Sequence, residues 1–260
     1  MALVHLQLYD EAELLQTVQG IGSAAKTLRF LNAEGTEQAL CWADNELQAL
    51  SHYGIRSLLY GGPDYPLRLM TCNDAPLVLY QLGPANLNAK HVVSIVGTRH
   101  CTPEGRQRTQ QLVQTLHQRY GHQLLVVSGL AKGIDVSAHR QALADNIATV
   151  GILGHGLGTL YPAAHRPEAE AMTRQGALLT EYPLGTKPLA SRFLQRNRLI
   201  AALADEVYII ESAARGGALS AMHHARHYHR PCFAWRGING TTLSAGCQQL
   251  IESGLAEPLA

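Results

Sequence analysis

Between Val92 and Arg236 the chain passes repeatedly from a short apolar run into a glycine-rich turn, and several of those turns carry arginine or lysine. The first is Gly97-Thr98-Arg99. The second is Ser128-Gly129-Leu130-Ala131-Lys132-Gly133-Ile134-Asp135, and the third Gly154-His155-Gly156-Leu157-Gly158. A fourth, Glu181 to Gly185, leads through a loop to Phe193-Leu194-Gln195-Arg196-Asn197-Arg198. The fifth is Glu211-Ser212-Ala213-Ala214-Arg215-Gly216-Gly217-Ala218. Glycine lacks a Cβ and lets a backbone N–H approach an anion closely. A helix N-terminus adds unpaired N–H groups and a partial positive charge. Arg99, Lys132, Arg196 and Arg198 would add full charges. Together these residue types are suited to holding phosphate groups.

Each feature also has an ordinary reading. Gly97 and Gly129 serve equally as tight turns, and Arg99 and Lys132 as solvated charges. Either Arg196 or Arg198 could pair with a nearby acid. Phe193 directly precedes the basic turn. A base stacked on such a ring gains ~1–3 kcal/mol without sequence preference, and a core position is the alternative. Asp135 has no base or nucleophile beside it in sequence, so it reads as a loop-orienting group. No catalytic residue is identified.

Other phosphate chemistry fits less well. Dinucleotide binding needs GxGxxG after the first strand and an acid near the end of the second. Here the first turn is Gly97-Thr98-Arg99-His100-Cys101-Thr102, and the second strand ends in Ser128-Gly129. The GxxxxGK[ST] lysine loop is missing. His223 and His227 lie one helical turn apart, a spacing that can bind metal. No acid or cysteine near them completes a site, so neither metal nor cofactor is expected.

The elements that must position these turns follow from periodicity. Val92–Val96, Leu124–Val127, Ala148–Leu153, Ala177–Thr180, Glu206–Ile210 and Pro231–Trp235 read as strands. Helices fall near Thr102–Tyr120, Ile134–Ala144, Pro167–Arg174, Phe193–Leu203 and Ala218–His227. Thr102-Pro103-Glu104 reads as an N-cap, a first-turn proline and a first-turn acid. The alternation predicts an α/β fold: a doubly wound, mainly parallel sheet with helices on both faces. Ligands in such sheets sit outside the carboxyl ends of the strands, where the turns above lie. Upstream, Leu14, Leu15 and Val18 fit one helix face, and Leu28, Phe30 and Leu31 another. Gly61-Gly62-Pro63-Asp64-Tyr65-Pro66 marks a turn, Leu77–Tyr80 a short extended run, and Gly83-Pro84 a boundary. The expected division is a small helical domain and lead-in over 1–85 and the sheet domain over 86–260.

Composition sets limits. The 260 residues are 46% hydrophobic and 16% charged, enough apolar content for a large core. With 21 basic and 20 acidic residues, net charge is +1. A polyanion site must therefore be a local concentration of Arg and Lys. The five cysteines, Cys41, Cys72, Cys101, Cys232 and Cys247, form no CxxC pair and read as reduced thiols. The N-terminal segment lacks the pattern of a signal peptide, and no apolar run approaches the ~18 residues of a membrane span. The expected location is the cytoplasm.

The ordered strings resemble the DNA-processing protein A (DprA, or Smf) family. They are SIVGTR at Ser94–Arg99, VSGLAKGID at Val127–Asp135, GILGHGLGTLYP at Gly151–Pro162, LLTEYPLGTKP at Leu178–Pro188, FLQRNRLIAALAD at Phe193–Asp205, ESAARGGAL at Glu211–Leu219 and SAGCQQLI at Ser244–Ile251. GGPDYPLRL at Gly61–Leu69 and DAPLVLY at Asp74–Tyr80 resemble the family's lead-in. Thr98 replaces a common Ser, and Gln248 a frequent Asn. The resemblance implies an extended Rossmann domain that binds single-stranded DNA. It implies a protein that protects incoming DNA in natural transformation, loads the RecA recombinase, acts as a homodimer and is not an enzyme. Arg99, Ser128, Gly129 and Lys132 would hold phosphates, and Phe193 would stack a base with Arg196, Asn197 and Arg198 around it. Gly97, Gly133, Gly216 and Gly217 complete the expected phosphate-binding turns. The winged-helix domain that many members carry at the C-terminus is expected to be absent. Gly20-Ile21-Gly22 is similar to a helix-hairpin-helix turn. The competing functions are a nucleotide phosphoribohydrolase, for which the paired acids after the Gly216-Gly217 turn are missing, and a small-nucleotide sensor.

Overall fold

In the computed structural model, residues 1–2, 14–17, 19, 36–237 and 241–259 are described. The Gly20-Ile21-Gly22 turn, Val18, Leu28, Phe30 and Leu31 lie outside them. Leu14 and Leu15 are buried in the main core.

Among the described residues, nine strands form one sheet. They are β1 (Arg56–Leu59), β2 (Val78–Leu82), β3 (His91–Val96), β4 (Leu124–Ser128), β5 (Ala148–Ile152), β6 (Ala177–Thr180), β7 (Glu206–Ile209), β8 (Cys232–Trp235) and β9 (Glu257–Leu259). Their spatial order is β1-β2-β6-β5-β4-β3-β7-β8-β9. From β6 to β9 every pairing is parallel, whereas β1 and β2 join antiparallel at one edge. The α-helices between 36 and 259 are α1 (Thr36–His52), α2 (Leu67–Met70), α3 (Pro103–Tyr120), α4 (Ile134–Ala144), α5 (Arg166–Gln175), α6 (Ala190–Ala202), α7 (Leu219–His227) and α8 (Ala245–Glu252).

The central strands are continuous apolar runs because both of their faces are covered. Val93, Ile95, Leu124 and Val126 pack with Leu112, Val113 and Leu116 of α3 and Ile134, Ala138 and Ala142 of α4. The alternate residues Val92, Val96, Leu125 and Val127 join a second cluster with Leu199 and Ile200 of α6 and Ala221, Met222 and Ala225 of α7. The chain runs β3, β4, β5, β6 in one direction, then returns through α6 to place β7 on the other side of β3. That reversal is a topological switch point, and it opens a crevice at the carboxyl ends of β3 and β7.

One expectation is corrected. The boundary at 85/86 falls inside a hydrogen-bonded sheet rather than between two bodies. Gln81 and Leu82 of β2 lie opposite Leu179 and Leu178 of β6. The Ala85 N–H donates to the Gly176 carbonyl at 3.0 Å, and buried Gln81 donates from Nε2 to the Ala85 carbonyl at 2.7 Å. The lead-in residues therefore supply the antiparallel edge of the sheet. Their short length and turn-rich flanks hid that from periodicity.

Candidate functional site

The crevice is a cavity of about 650 Å³. Gly97, Thr98 and Arg99 line it after β3, and Ser212, Gly216 and Gly217 after β7; Phe193, Arg196 and Asn197 of α6 close it. The glycine turns after β3 and β7 thus meet in the crevice, but the four expected cations do not.

Arg99 is exposed, lines the cavity and takes part in no salt bridge among the described residues. Arg196 is buried in the floor, 3% exposed. Its Nη1 donates to the carbonyls of Gly129, at 2.7 Å, and Ile152. Burial lowers its pKa to about 10, Asp135 opposes that fall, and Arg99 adds to it. It stays protonated at neutral pH. Burial raises the Asp135 pKa, against the Arg196 charge and the N–H groups of Ala131 and Gly129. Gly129 is squeezed between these two side chains. A Cβ there would lie 2.6 Å from Asp135 Oδ2 and 2.7 Å from Arg196 Nη1.

Two expected cations lie elsewhere. Arg198 is corrected: it turns to the opposite side, where Nη2 donates to the buried Glu181 carboxylate and Nε lies 3.9 Å from Asp74. The reason is helical geometry, since positions two apart on a helix do not share a face. Lys132 is exposed and outside the cavity lining. Ser128 is fully buried, and its hydroxyl donates to the Ile95 carbonyl at 2.5 Å, so it braces β4 against β3. Gly133 joins turns rather than lining the cavity. Its φ is +81°, and a Cβ would sit 2.2 Å from the Thr98 carbonyl. That oxygen accepts the Ile134 N–H at 3.2 Å.

Phe193 is half-buried, with its ring against Gly154 and 5.5 Å from the Tyr161 ring. The guanidinium carbons of Arg99 and Arg196 lie 6.0 and 5.9 Å from its centroid. Asn197 ties α6 to α7, donating from Nδ2 to Ser220 Oγ at 2.7 Å. The chemistry offered is an aromatic surface beside an exposed cation that forms no salt bridge among the described residues.

Sequence reasoning missed two residues. Tyr161 extends the ring surface at the rim of the cavity; its only signal was its place in the Gly151–Pro162 string. Glu211 is the other. It is buried, 2% exposed, at the end of β7. Its Oε2 accepts the Thr102 N–H at 2.9 Å, and its Oε1 accepts the Thr102 hydroxyl at 2.6 Å. The Glu211 carbonyl accepts the Thr98 N–H at 2.7 Å. Thr102 in turn caps α3, accepting the Gly105 N–H at 2.9 Å. The N-terminus of the first helix after the first parallel strand holds the pyrophosphate in dinucleotide-binding sheets. Here the chain's own carboxylate takes that place.

The fold and cleft define a Rossmann-like α/β protein with a ring-lined, locally cationic crevice at its switch point. The chain belongs to the DNA recombination-mediator protein A family, which matches residues 56–260. DNA processing protein DprA from Streptococcus pneumoniae is 36% identical over 190 residues, covering 73% of this chain and 66% of that protein. Protein Smf from Escherichia coli is 33% identical over 246 residues, 94% of this chain and 63% of that protein. The chain spans about three fifths of the length of other curated relatives it matches. The solved DprA structure from S. pneumoniae superposes with a TM-score of 0.81 at 29% identity, covering 97% of this chain and 90% of that one. A structure of DNA processing protein A from Helicobacter pylori, which concerns that protein's single-stranded DNA binding mode, gives 0.71 at 29% identity over 80% of this chain and 92% of that one.

No helix among the described residues is long and apolar enough to cross a membrane. Among them, too, no three His, Cys, Asp or Glu side chains gather as metal ligands, and His223 and His227 acquire no third ligand.

Proposed function

We propose that the chain binds single-stranded DNA in the switch-point crevice, with Arg99 on a phosphate and a base on Phe193. On this reading it performs no covalent chemistry. It acts in the cytoplasm as a homodimer that protects incoming strands and hands them to the RecA recombinase during natural transformation and recombination. The observation that carries the reading is the half-buried Phe193 ring, set in the crevice beside an exposed Arg99 that forms no salt bridge among the described residues. An open ring accepts any unpaired base, whereas duplex DNA keeps its bases stacked inside. The single-stranded DNA binding mode described for the H. pylori relative supports the same choice. The small-nucleotide alternative is disfavoured by Glu211, which fills the first helix terminus.

The test is titration of labelled single- and double-stranded oligonucleotides at several salt concentrations. Single strands should bind more tightly, with a log–log salt slope of about −0.7 per phosphate neutralised. Arg99→Ala should reduce that slope by about one phosphate's worth, and Phe193→Leu should weaken binding about 5- to 100-fold. Equal affinity for duplex, or no change in both variants, would sink the assignment. Release of free base from nucleoside monophosphates would move it to an enzyme.

A further inference from the structure

A second aromatic–cation pair stands at the neighbouring strand end. Tyr182 follows β6, and the Arg192 guanidinium carbon lies 5.3 Å from its ring centroid. Both partners are held in place. The Tyr182 hydroxyl meets Gln195 Oε1 at 3.1 Å, and Arg192 Nη1 donates to the Lys187 carbonyl at 2.5 Å. Both are only half-buried, and no salt bridge among the described residues involves Arg192. Arg192 and Phe193 are consecutive in α6, so they point about 100° apart around the same helical turn. One looks toward the end of β6, the other toward Gly154 at the end of β5. Leu194 on the same turn is 56% exposed, an apolar surface next to both pairs.

We propose that Tyr182 and Arg192 form a second nucleotide position, adjoining that of Phe193 and Arg99, so that a strand lies across the ends of successive β-strands. The proposal rests on the single-stranded DNA reading. Each pair offers what one nucleotide needs: a ring for the base and, for the phosphate, a cation that forms no salt bridge among the described residues. A guanidinium stacked on a ring keeps its N–H edge available for a phosphate and presents its own plane to a base. Two such pairs, each with one member on the same turn of α6, suit two nucleotides of a strand better than one mononucleotide.

The experiment compares the full chain with its Tyr182→Leu, Tyr182→Phe, Arg192→Ala and Phe193→Leu variants. The probes are oligothymidylates from about three to about twelve nucleotides, with 2-aminopurine at successive positions as a stacking reporter. Wild type should gain affinity with length. Tyr182→Leu and Arg192→Ala should each lose about 5- to 100-fold on the longer strands, while the shortest strand is barely affected and one reporter position loses its quenching. Tyr182→Phe keeps the ring and should keep the binding. Phe193→Leu should weaken every length. If both Tyr182→Leu and Arg192→Ala follow wild type at every length while Phe193→Leu is weakened, this position is refuted and the cleft reading survives. If wild type binds no single strand, the underlying reading fails and this one with it. Arg192 is a surface residue, so its variant carries the test alone should Tyr182→Leu not fold.

Discussion

At the scale of single residues, three of the expected phosphate ligands turn out to be packed inside the protein. Ser128 donates to a neighbouring strand, Arg196 to two carbonyls, and Gly129 makes room for Asp135 and Arg196. Arg196 still adds positive charge beneath the crevice, but its Nη1 donors are already committed to the Gly129 and Ile152 carbonyls. Gly129→Ala should therefore act on stability. Placing a methyl 2.6–2.7 Å from both partners of a buried charge pair should cost about 2–3 kcal/mol. A lowered urea midpoint at unchanged m would show it. A midpoint equal to wild type, with only DNA affinity reduced, would instead return Gly129 to the role of phosphate ligand.

At the scale of elements, α6 serves several surroundings at once. Phe193 faces the crevice, Arg196 the sheet, Asn197 α7, and Arg198 the Asp74–Glu181 side. The α3 terminus shows similar economy. Thr102 caps the helix and also satisfies the Glu211 carboxylate, which links the turns after β3 and β7. Thr102→Ala removes a cap, usually about 1 kcal/mol, and strips a buried carboxylate of one of its donors. The expected loss is about 2–3 kcal/mol. Thr102→Ser, which keeps the hydroxyl, should lose little. If the two variants are equally stable by denaturant titration, the Thr102–Glu211 link is not what holds this corner.

At the scale of the whole molecule, pH tests how the polar groups beneath the crevice are buried. His139 is fully buried, with Nδ1 2.7 Å from the Thr149 hydroxyl. Burial lowers its pKa from 6.5 to about 3, and the neighbouring charges of His165 and Arg196 act in the same sense. Between those values the unfolded chain binds a proton that the folded chain refuses. Stability is therefore full above about pH 6.5 and falls as pH drops, by up to about 1.4 kcal/mol per pH unit. His224, also lowered chiefly by burial, adds to the same trend. Unfolding free energy measured from pH 7 to pH 5 should decline, and His139→Gln should flatten the curve. An unchanged slope in that variant would remove His139 as the cause.

The sequence by itself determined the alternation of strand and helix, the capping of α3 by Thr102, and the placing of glycine turns at strand ends. These are local matters, settled by side-chain period, capping chemistry and the freedom of glycine. Only the tertiary structure decided which charges meet. Arg196 and Arg198 look equivalent as letters, yet one is sunk beneath the crevice and the other is neutralised by acids from distant segments. It also decided that β1 and β2 belong to the sheet, and that Glu211 fills the first helix terminus. The reason is physical. Charge pairing and strand pairing join residues far apart in the chain, and no periodicity records which distant partner will arrive.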